Sequence, residues 1–426
     1  GWFWGDHCYN VKSNYTSSAF RSYDVWYANY KWIANVNYII DAEPEMAGTE
    51  ADVAYVAGQA YAIRALCYLN LATWFSRAPY NSLTGASRWN EPCVPVYTTG
   101  TSIDTGGQPR ESLRTVYGRI DQDIDRAIEL LEKARETTLA ENNKSHINLY
   151  VALGIKSRAC LAEGDWDGAF KAAKRVIDEG GYAVGTKSDL TGGMNSLDKQ
   201  NVMWGAGIQV ADQAGGYAGF FTHMDNKEGA YAKSAPKLIS KQLYNRISAT
   251  DIRRDWWDPS DKESPYVSKK FSFANMASFL GDYIYMRVEE MYFTAAEAAL
   301  RLDDLKSARE LMNTVMAERD PGYSANNRSG TLLGATTTTW TGSFLENILT
   351  HRRIELWGEY GRLFDVRRLG QGIDRRTDDG FSEECISMMN RRNVNITKAD
   401  TYDWVLTIPK AELDANPNIN EEDQNP

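Results

Sequence analysis

The chain has little of what would build a covalent or metal-braced framework. Of its 426 residues only five are cysteine, Cys8, Cys67, Cys93, Cys160 and Cys385. The number is odd, the spacing is wide, and Cys67 and Cys160 fall in helix-like runs that favour a small buried side chain, so no disulfide framework is predicted. The four histidines, His7, His146, His223 and His351, share no metal-ligand spacing. No run of about 18 apolar residues occurs, so no transmembrane helix is predicted. The opening GWFWGDHCYN has neither a basic start nor an apolar leader and does not look like a signal peptide, which is silent about export. Positive charge is also short. Lys and Arg number 47 against 57 Asp and Glu, a net charge of -10, and that field repels nucleic acid and anionic membrane.

Catalytic signatures are missing as well. No GxSxG, HExxH, GxxxxGK[ST] or GxGxxG occurs. A glycosidase would need two opposed carboxylates, and Asp255 with Asp258 or Glu289 with Glu290 are the pairs on offer. Such neighbours are common in any acidic protein, so the chain is not predicted to be an enzyme. No cofactor is predicted either. A twelve-residue calcium loop is absent, and a structural calcium on loop carboxylates is left open.

What the chain has in excess is aromatic side chains, with 13 Trp and 24 Tyr. Flat amphipathic rings bind sugars or protein partners at low entropy cost, and they also fill helical interiors. Periodicity predicts helices first. Trp26, Tyr30, Ile33 and Val36 recur at three and four, as do Val56, Ala60, Ile63 and Leu66 or Cys67. A third helix carries Leu113, Val116, Ile120, Ile124, Ile128 and Leu131. Two further units, around EGDWD and RLDDL, each place two alanines ten residues apart, Ala159 with Ala169 and Ala298 with Ala308. Small residues there let paired helices approach closely, at the length of a tetratricopeptide-like repeat. Such repeats need stacked neighbours. The two units lie far apart, so the superhelix is either interrupted by a large insertion or closed by packing of distant segments. The expected fold is mainly α, a single domain over 1–426. Its helical scaffold covers about 19–77, 110–180, 287–320 and 343–370. Loop-rich portions at 78–109, 181–286 and 321–342 carry short strand-like fragments such as NVMWGAG and YIYMRV, and are where binding residues are expected.

The stretch HRRIELWGEYGRLFDVRRLG, residues 351–370, concentrates arginine. Read as a helix over 344–364 it is apolar on two sides and therefore buried. Its charges must then be paired, and Arg352 with Glu355, Glu359 with Arg362, Arg362 with Asp365 and Asp365 with Arg368 are all three apart. Alternating acids and bases predict an internal ion-pair network rather than a phosphate or nucleic-acid site.

This stretch also resembles the C-terminal signature of the SusD/RagB family of Bacteroidetes nutrient-binding lipoproteins. RALCYLNLATWFSRAPY at 64–80, YMRVEEMYFTAAEAALRL at 285–302 and the closing TYDWVLTIPKAELDANPNINEEDQNP are similar to further family signatures in the same order. His351, Tyr360 and Phe75-Ser76-Arg77 depart from the usual pattern. The resemblance implies a helical body of four tetratricopeptide-like pairs, tethered by lipid on the outer face of the outer membrane. It also implies work with a SusC-like TonB-dependent transporter to capture oligosaccharide or polysaccharide without cutting it. The family's lipid-bearing cysteine is not in this numbering, and Cys8 lies in the wrong context to be it.

Sugars are held by rings against their C–H faces and by polar side chains on their hydroxyls. The ligand-contact residues expected on that basis are Trp89 with Asn90, Trp256 or Trp257, Tyr217 with Phe220 and Phe221, Tyr283 and Trp340. Adjacent rings in an extended segment point opposite ways, so at most one of Trp256 and Trp257 is expected to face the ligand, with the other in the core. Trp204 is assigned to strand core. Trp2, Trp4, Trp26 and Trp32 are assigned to packing or to the transporter. The alternative from another class is a helical-repeat scaffold that binds protein along its helix faces and has no glycan of its own. The identity of the glycan is not written in the sequence, and Arg88, Arg253 and Arg254 leave an acidic sugar open.

Overall fold

A computed structural model describes residues 20–139, 143–210, 219–373, 401–402 and 405–426, with side chains from residue 25. Helices dominate it: α1 Phe20–Ala42, α2 Glu50–Phe75, α3 Leu113–Lys133, α4 Leu149–Glu163, α5 Trp166–Glu179, α6 Val288–Arg301, α7 Leu305–Ala317, α8 Phe344–Glu355 and α9 Arg362–Leu369. Their starts are set locally. Thr49, Ser112, Asn148, Asp165, Asp304 and Ser343 each accept a hydrogen bond from a backbone N–H of the first turn, satisfying a group the helix itself leaves free.

The helices pack in chain order, α1 on α2, α2 on α3, α3 on α4, α4 on α5 and α6 on α7. The EGDWD and RLDDL units are the predicted helix pairs, and Ala159, Ala169, Ala298 and Ala308 are all fully buried. Between them, α5 packs directly on α6. The scaffold is therefore closed by distant segments, and the insertion bulges out from an unbroken stack. Among the described residues no helix is long and apolar enough to cross a membrane.

The face expected of α2 is turned. Val56 is exposed, and Ile63 and Leu66 are only half-buried, because α2 is apolar nearly all round and buries its alanine-rich side instead. Cys67, Cys93 and Cys160 are buried and free, while Cys8 and Cys385 lie outside the described residues. The loop over 78–109 lies along the scaffold as a strap. Tyr30 Oη donates to the Pro95 carbonyl, Tyr68 Oη to that of Tyr97 and Asn37 Nδ2 to that of Thr99.

The insertion has its own core, built from Leu190, Met194, Phe221, Tyr244, Trp256, Trp257 and Phe271 and closed by Ile354 of α8. The two strand-like fragments pair antiparallel as β1 Val202–Ala206 and β4 Tyr283–Arg287. A shorter pair, β2 Trp257–Asp258 and β3 Val267–Ser268, lies between them in the chain.

The arginine-rich stretch is the internal tie that its alternating charges predict, although it is not one helix. The chain leaves α8 at Glu355 and re-enters helix at Arg362, with Gly358 at φ 76° and Gly361 at φ 111°. Those are backbone conformations glycine adopts without strain. The break changes the partners. Asp365 pairs with Arg368 at 2.8 Å as the spacing predicts, whereas Arg352 reaches Asp365 at 2.9 Å and Glu355 turns elsewhere. Glu355, fully buried, accepts from Arg253 at 3.1 Å, Arg287 at 3.0 Å and Arg319 at 2.9 Å. Burial alone would raise its pKa, yet Arg319, Arg287 and Arg253 outweigh burial and hold it well below the usual carboxylate range. Glu359 accepts from Lys270 at 2.5 Å and from Arg287 Nε at 2.8 Å. The network joins the insertion, the end of β4, the segment just after α7 and the end of α8 in one cluster.

Candidate ligand-binding cleft

A concavity of about 750 Å³ opens where the N-terminal helices face the insertion. One wall is Trp32, Asn35 and Val36 of α1 with Ile63, Leu66, Cys67 and Asn70 of α2. The other is Trp204 of β1, Tyr283, Ile284 and Tyr285 of β4, and Met194, Phe220 and Phe271. The turn Gly358, Glu359 and Tyr360 closes one end, above Arg158 of α4.

Exposure grades across these residues from mouth to floor. Trp32 is 53% exposed and Tyr285 41%, whereas Val36, Cys67, Met194 and Phe271 are buried. The rings at the mouth are positioned. Trp204 and Tyr285 meet edge to face with centroids 5.0 Å apart, and the Trp204 indole N–H donates to the Ser145 carbonyl at 3.4 Å. Edge-to-face packing fixes one ring against the other and leaves a face free.

The charged residues of the cleft are already engaged. Glu359 serves Lys270 and Arg287, as above. Arg158 donates Nε and Nη2 to Glu290 at 2.8 and 2.7 Å, gives a second Nη2 bond to the Tyr285 carbonyl at 3.0 Å, and lies 3.9 Å from the Tyr360 ring centre. Burial pushes the Cys67 thiol up to about 12, so it lines the wall as a neutral, unreactive group. Asn35 and Asn70 supply amide groups that a ligand can use, Asn70 Nδ2 donating just one long bond among the described residues, to Asn29 Oδ1 at 3.5 Å. Such an arrangement can hold a neutral, ring-shaped ligand by stacking and a few hydrogen bonds. Among the described residues it presents no free carboxylate pair for acid–base chemistry.

Of the residues expected from the sequence, Phe220 and Tyr283 line this cleft. Phe221 stands directly behind them, 2% exposed, in ring contact with Phe220 and Tyr283. Tyr217 lies outside the described residues. Trp256 and Trp257 are both buried, at 2% and 1%, so neither of these two candidates is open to a ligand. The reason is local. Trp256 ends a 3₁₀ turn, Ile252–Trp256, and Trp257 begins β2. The change of backbone between them sends both rings into the same core, 5.8 Å apart and nearly perpendicular. Trp89 is half-buried against Tyr117 with Arg114 near its ring, and Asn90 beside it is exposed; neither lines the cleft. Trp340 is half-buried under the Arg246 guanidinium at 4.0 Å, also away from it.

The rings that do form the mouth, Trp32, Trp204 and Tyr285, were not among those expected. The signal for Trp32 was present. It lies off the stripe of Trp26, Tyr30 and Ile33, and a large ring on the polar side of an amphipathic helix is one left for a partner. Tyr285 sits two residues from Tyr283, the spacing of one strand face. Trp204 faces the cleft only because β1 pairs with β4, which no local pattern states.

Comparison with known proteins agrees with this architecture. Residues 224–426 match the model of the SusD family, and residues 3–161 match a SusD-like model described as starch-binding and associating with the outer membrane. No curated protein sequence matches the chain. A SusD-like carbohydrate binding protein from Bacteroides vulgatus superimposes with a TM-score of 0.73 at 26% identity, covering 94% of this chain and 83% of its own. A SusD superfamily protein from Bacteroides thetaiotaomicron gives 0.74 at 24%, covering 94% and 85%. The surface glycan-binding protein A of Bacteroides uniformis gives 0.64 at 18%, covering 94% and 84%. The last two show the shared fold. With two of its models matched over most of the chain and the helical stack common to these structures, the chain belongs to the SusD/RagB family.

Proposed function

We propose that this protein is a non-catalytic glycan-binding protein of the outer membrane. It holds oligosaccharide by ring stacking and hydrogen bonds and passes it to a SusC-like TonB-dependent transporter. The observation that carries the reading is the mouth of the cleft, where Trp32, Trp204 and Tyr285 stand around Asn35 and Asn70 on a rigid scaffold. A C–H face of a pyranose stacks on such rings while amide groups take its hydroxyls. Family membership supports display on the outer face of the outer membrane through a lipid anchor. The B. vulgatus relative is a carbohydrate binding protein and the B. uniformis relative a surface glycan-binding protein, which supports the ligand class. Family membership likewise supports a partner transporter and binding without cleavage.

Affinity electrophoresis tests this directly. Wild type, Trp32→Ala and Trp89→Ala are run through gels carrying neutral and acidic polysaccharides, with a parallel incubation for new reducing ends. We expect retardation by at least one polymer, reduced roughly tenfold or more in affinity by Trp32→Ala and little by Trp89→Ala, with no reducing ends. Retardation by no polymer, or release of reducing ends, defeats the proposal.

A further inference from the structure

We propose that the cleft takes a glycan bearing an apolar substituent, an aryl or acyl group, with the substituent on the floor and the sugar at the mouth. The inference rests on the glycan reading of the same cleft and goes further in naming what kind of glycan.

It follows from counting what the cleft can satisfy. An unsubstituted sugar presents hydroxyls on its whole perimeter, and each one taken out of water needs a partner or costs free energy. Glu359 has both oxygens committed to Lys270 and Arg287, and Arg158 has Nε and Nη2 committed to Glu290 and the Tyr285 carbonyl. The supply left for a ligand is then Asn35 and Asn70 on the wall formed by α1 and α2, the Trp32 indole N–H and the Tyr283 and Tyr285 hydroxyls, and the unpartnered Tyr360 hydroxyl at the closed end. Beyond them the cleft is hydrocarbon and ring: Ile63, Leu66, Met194, Phe220, Phe271 and Ile284. A bare oligosaccharide pushed past the mouth would bury hydroxyls against these side chains. An alkyl or aromatic group would instead remove them from water, at a gain proportional to the area covered.

The protein's own structure argues that this surface is kept for a ligand. Ile63 and Leu66 are half-buried members of a helix whose neighbours on the alanine side are fully buried. A methylene left in contact with water at the foot of a fixed cleft is stability forgone unless something covers it. The aromatic cluster behind the floor, Phe220 against Phe221, Phe271 and Tyr283 with centroids 5.2, 5.2 and 6.0 Å apart, holds the wall in place. The cavity, at about 750 Å³, lies within the roughly 300–1,000 Å³ of sites that enclose a small molecule.

The test is calorimetry on the full chain with methyl, n-octyl and 2-naphthyl β-D-glucopyranoside, the octyl compound kept below its micelle concentration. We expect the octyl or the naphthyl glycoside to bind roughly tenfold or more tighter than the methyl glycoside, and the stronger of the two separates an acyl-like from an aryl ligand. Leu66→Ser and Ile63→Ser should each erase that advantage by bringing the octyl and naphthyl glycosides down to the affinity of the methyl glycoside, whereas Trp32→Ala should weaken all three alike. Two separate half-buried positions guard against one variant failing to fold, and near-ultraviolet circular dichroism checks each. Equal binding of all three glycosides overturns the inference and leaves the glycan reading standing. Binding of none overturns it too, and the polysaccharide gels then decide the glycan reading separately.

Discussion

At the scale of single residues, the most consequential side chain is Glu355. Three guanidiniums are arranged around it, and none of them is exposed. Replacing it by glutamine leaves buried cations short of their counter-charge, which in comparable buried pairs costs about 3–5 kcal/mol. Urea titration of Glu355→Gln should return an unfolding free energy lower by that amount, read as a lower midpoint at unchanged m-value. Asp167→Asn, which removes the exposed partner of Lys171, should leave the midpoint essentially unmoved. A second carboxyl gives a pH signature. Glu163 is pushed up to about 9, by burial first and then by the neighbouring Asp121 carboxylate. The folded state thus holds this proton more tightly than the unfolded chain does. Its stabilising contribution is complete below the ordinary value of 4.5 and is lost as pH rises through the folded value. Glu163→Gln, permanently neutral, should melt with wild type near about pH 4 and above it near about pH 8; coincident melting at both would count against the shifted carboxyl. Residue-level legibility was uneven for a physical reason. Tyr283 was legible as a ring in a strand. The fate of Trp256 and Trp257 turned on one change from 3₁₀ to extended backbone, which neither side chain announces.

At the scale of elements, the sequence states more. The caps Asp165 and Asp304 stand in the EGDWD and RLDDL turns that mark the helix pairs, and the alternating aromatics of YIYMR mark β4. The break between α8 and α9 was not legible, because its residues keep a helical spacing of apolar positions straight through it. Only the glycines betray it. Gly361 at φ 111° has open space where a Cβ would go, the nearest atom being Arg352 Nη2 at 3.9 Å. The cost of Gly361→Ala is therefore backbone strain alone, about 1–3 kcal/mol, and chemical denaturation should return a loss in that range. A neutral result would mean that the turn relaxes. Gly358→Ala should be worse, since its Cβ would also stand 2.5 Å from the Phe271 ring on the cleft wall. That substitution links an element's turn to the shape of the site, and it should weaken ligand binding as well as folding.

At the scale of the molecule, the fold class and the order of helix pairs were legible because repeats advertise themselves by period. The cleft was not, because it belongs to no segment. Its walls come from α1 and α2 near the start, from strands in the insertion, and from a turn just after α8. The same holds for the ion-pair cluster that joins Arg253, Arg287, Arg319 and Glu355 from four places in the chain. Because the site exists only when these distant parts are assembled, an occupied cleft works as a reversible clasp across the whole chain. At a hundred times its dissociation constant, a ligand should add about 2.7 kcal/mol to the free energy of global opening. Pulse proteolysis should then show slower loss even of α7, which touches no ligand.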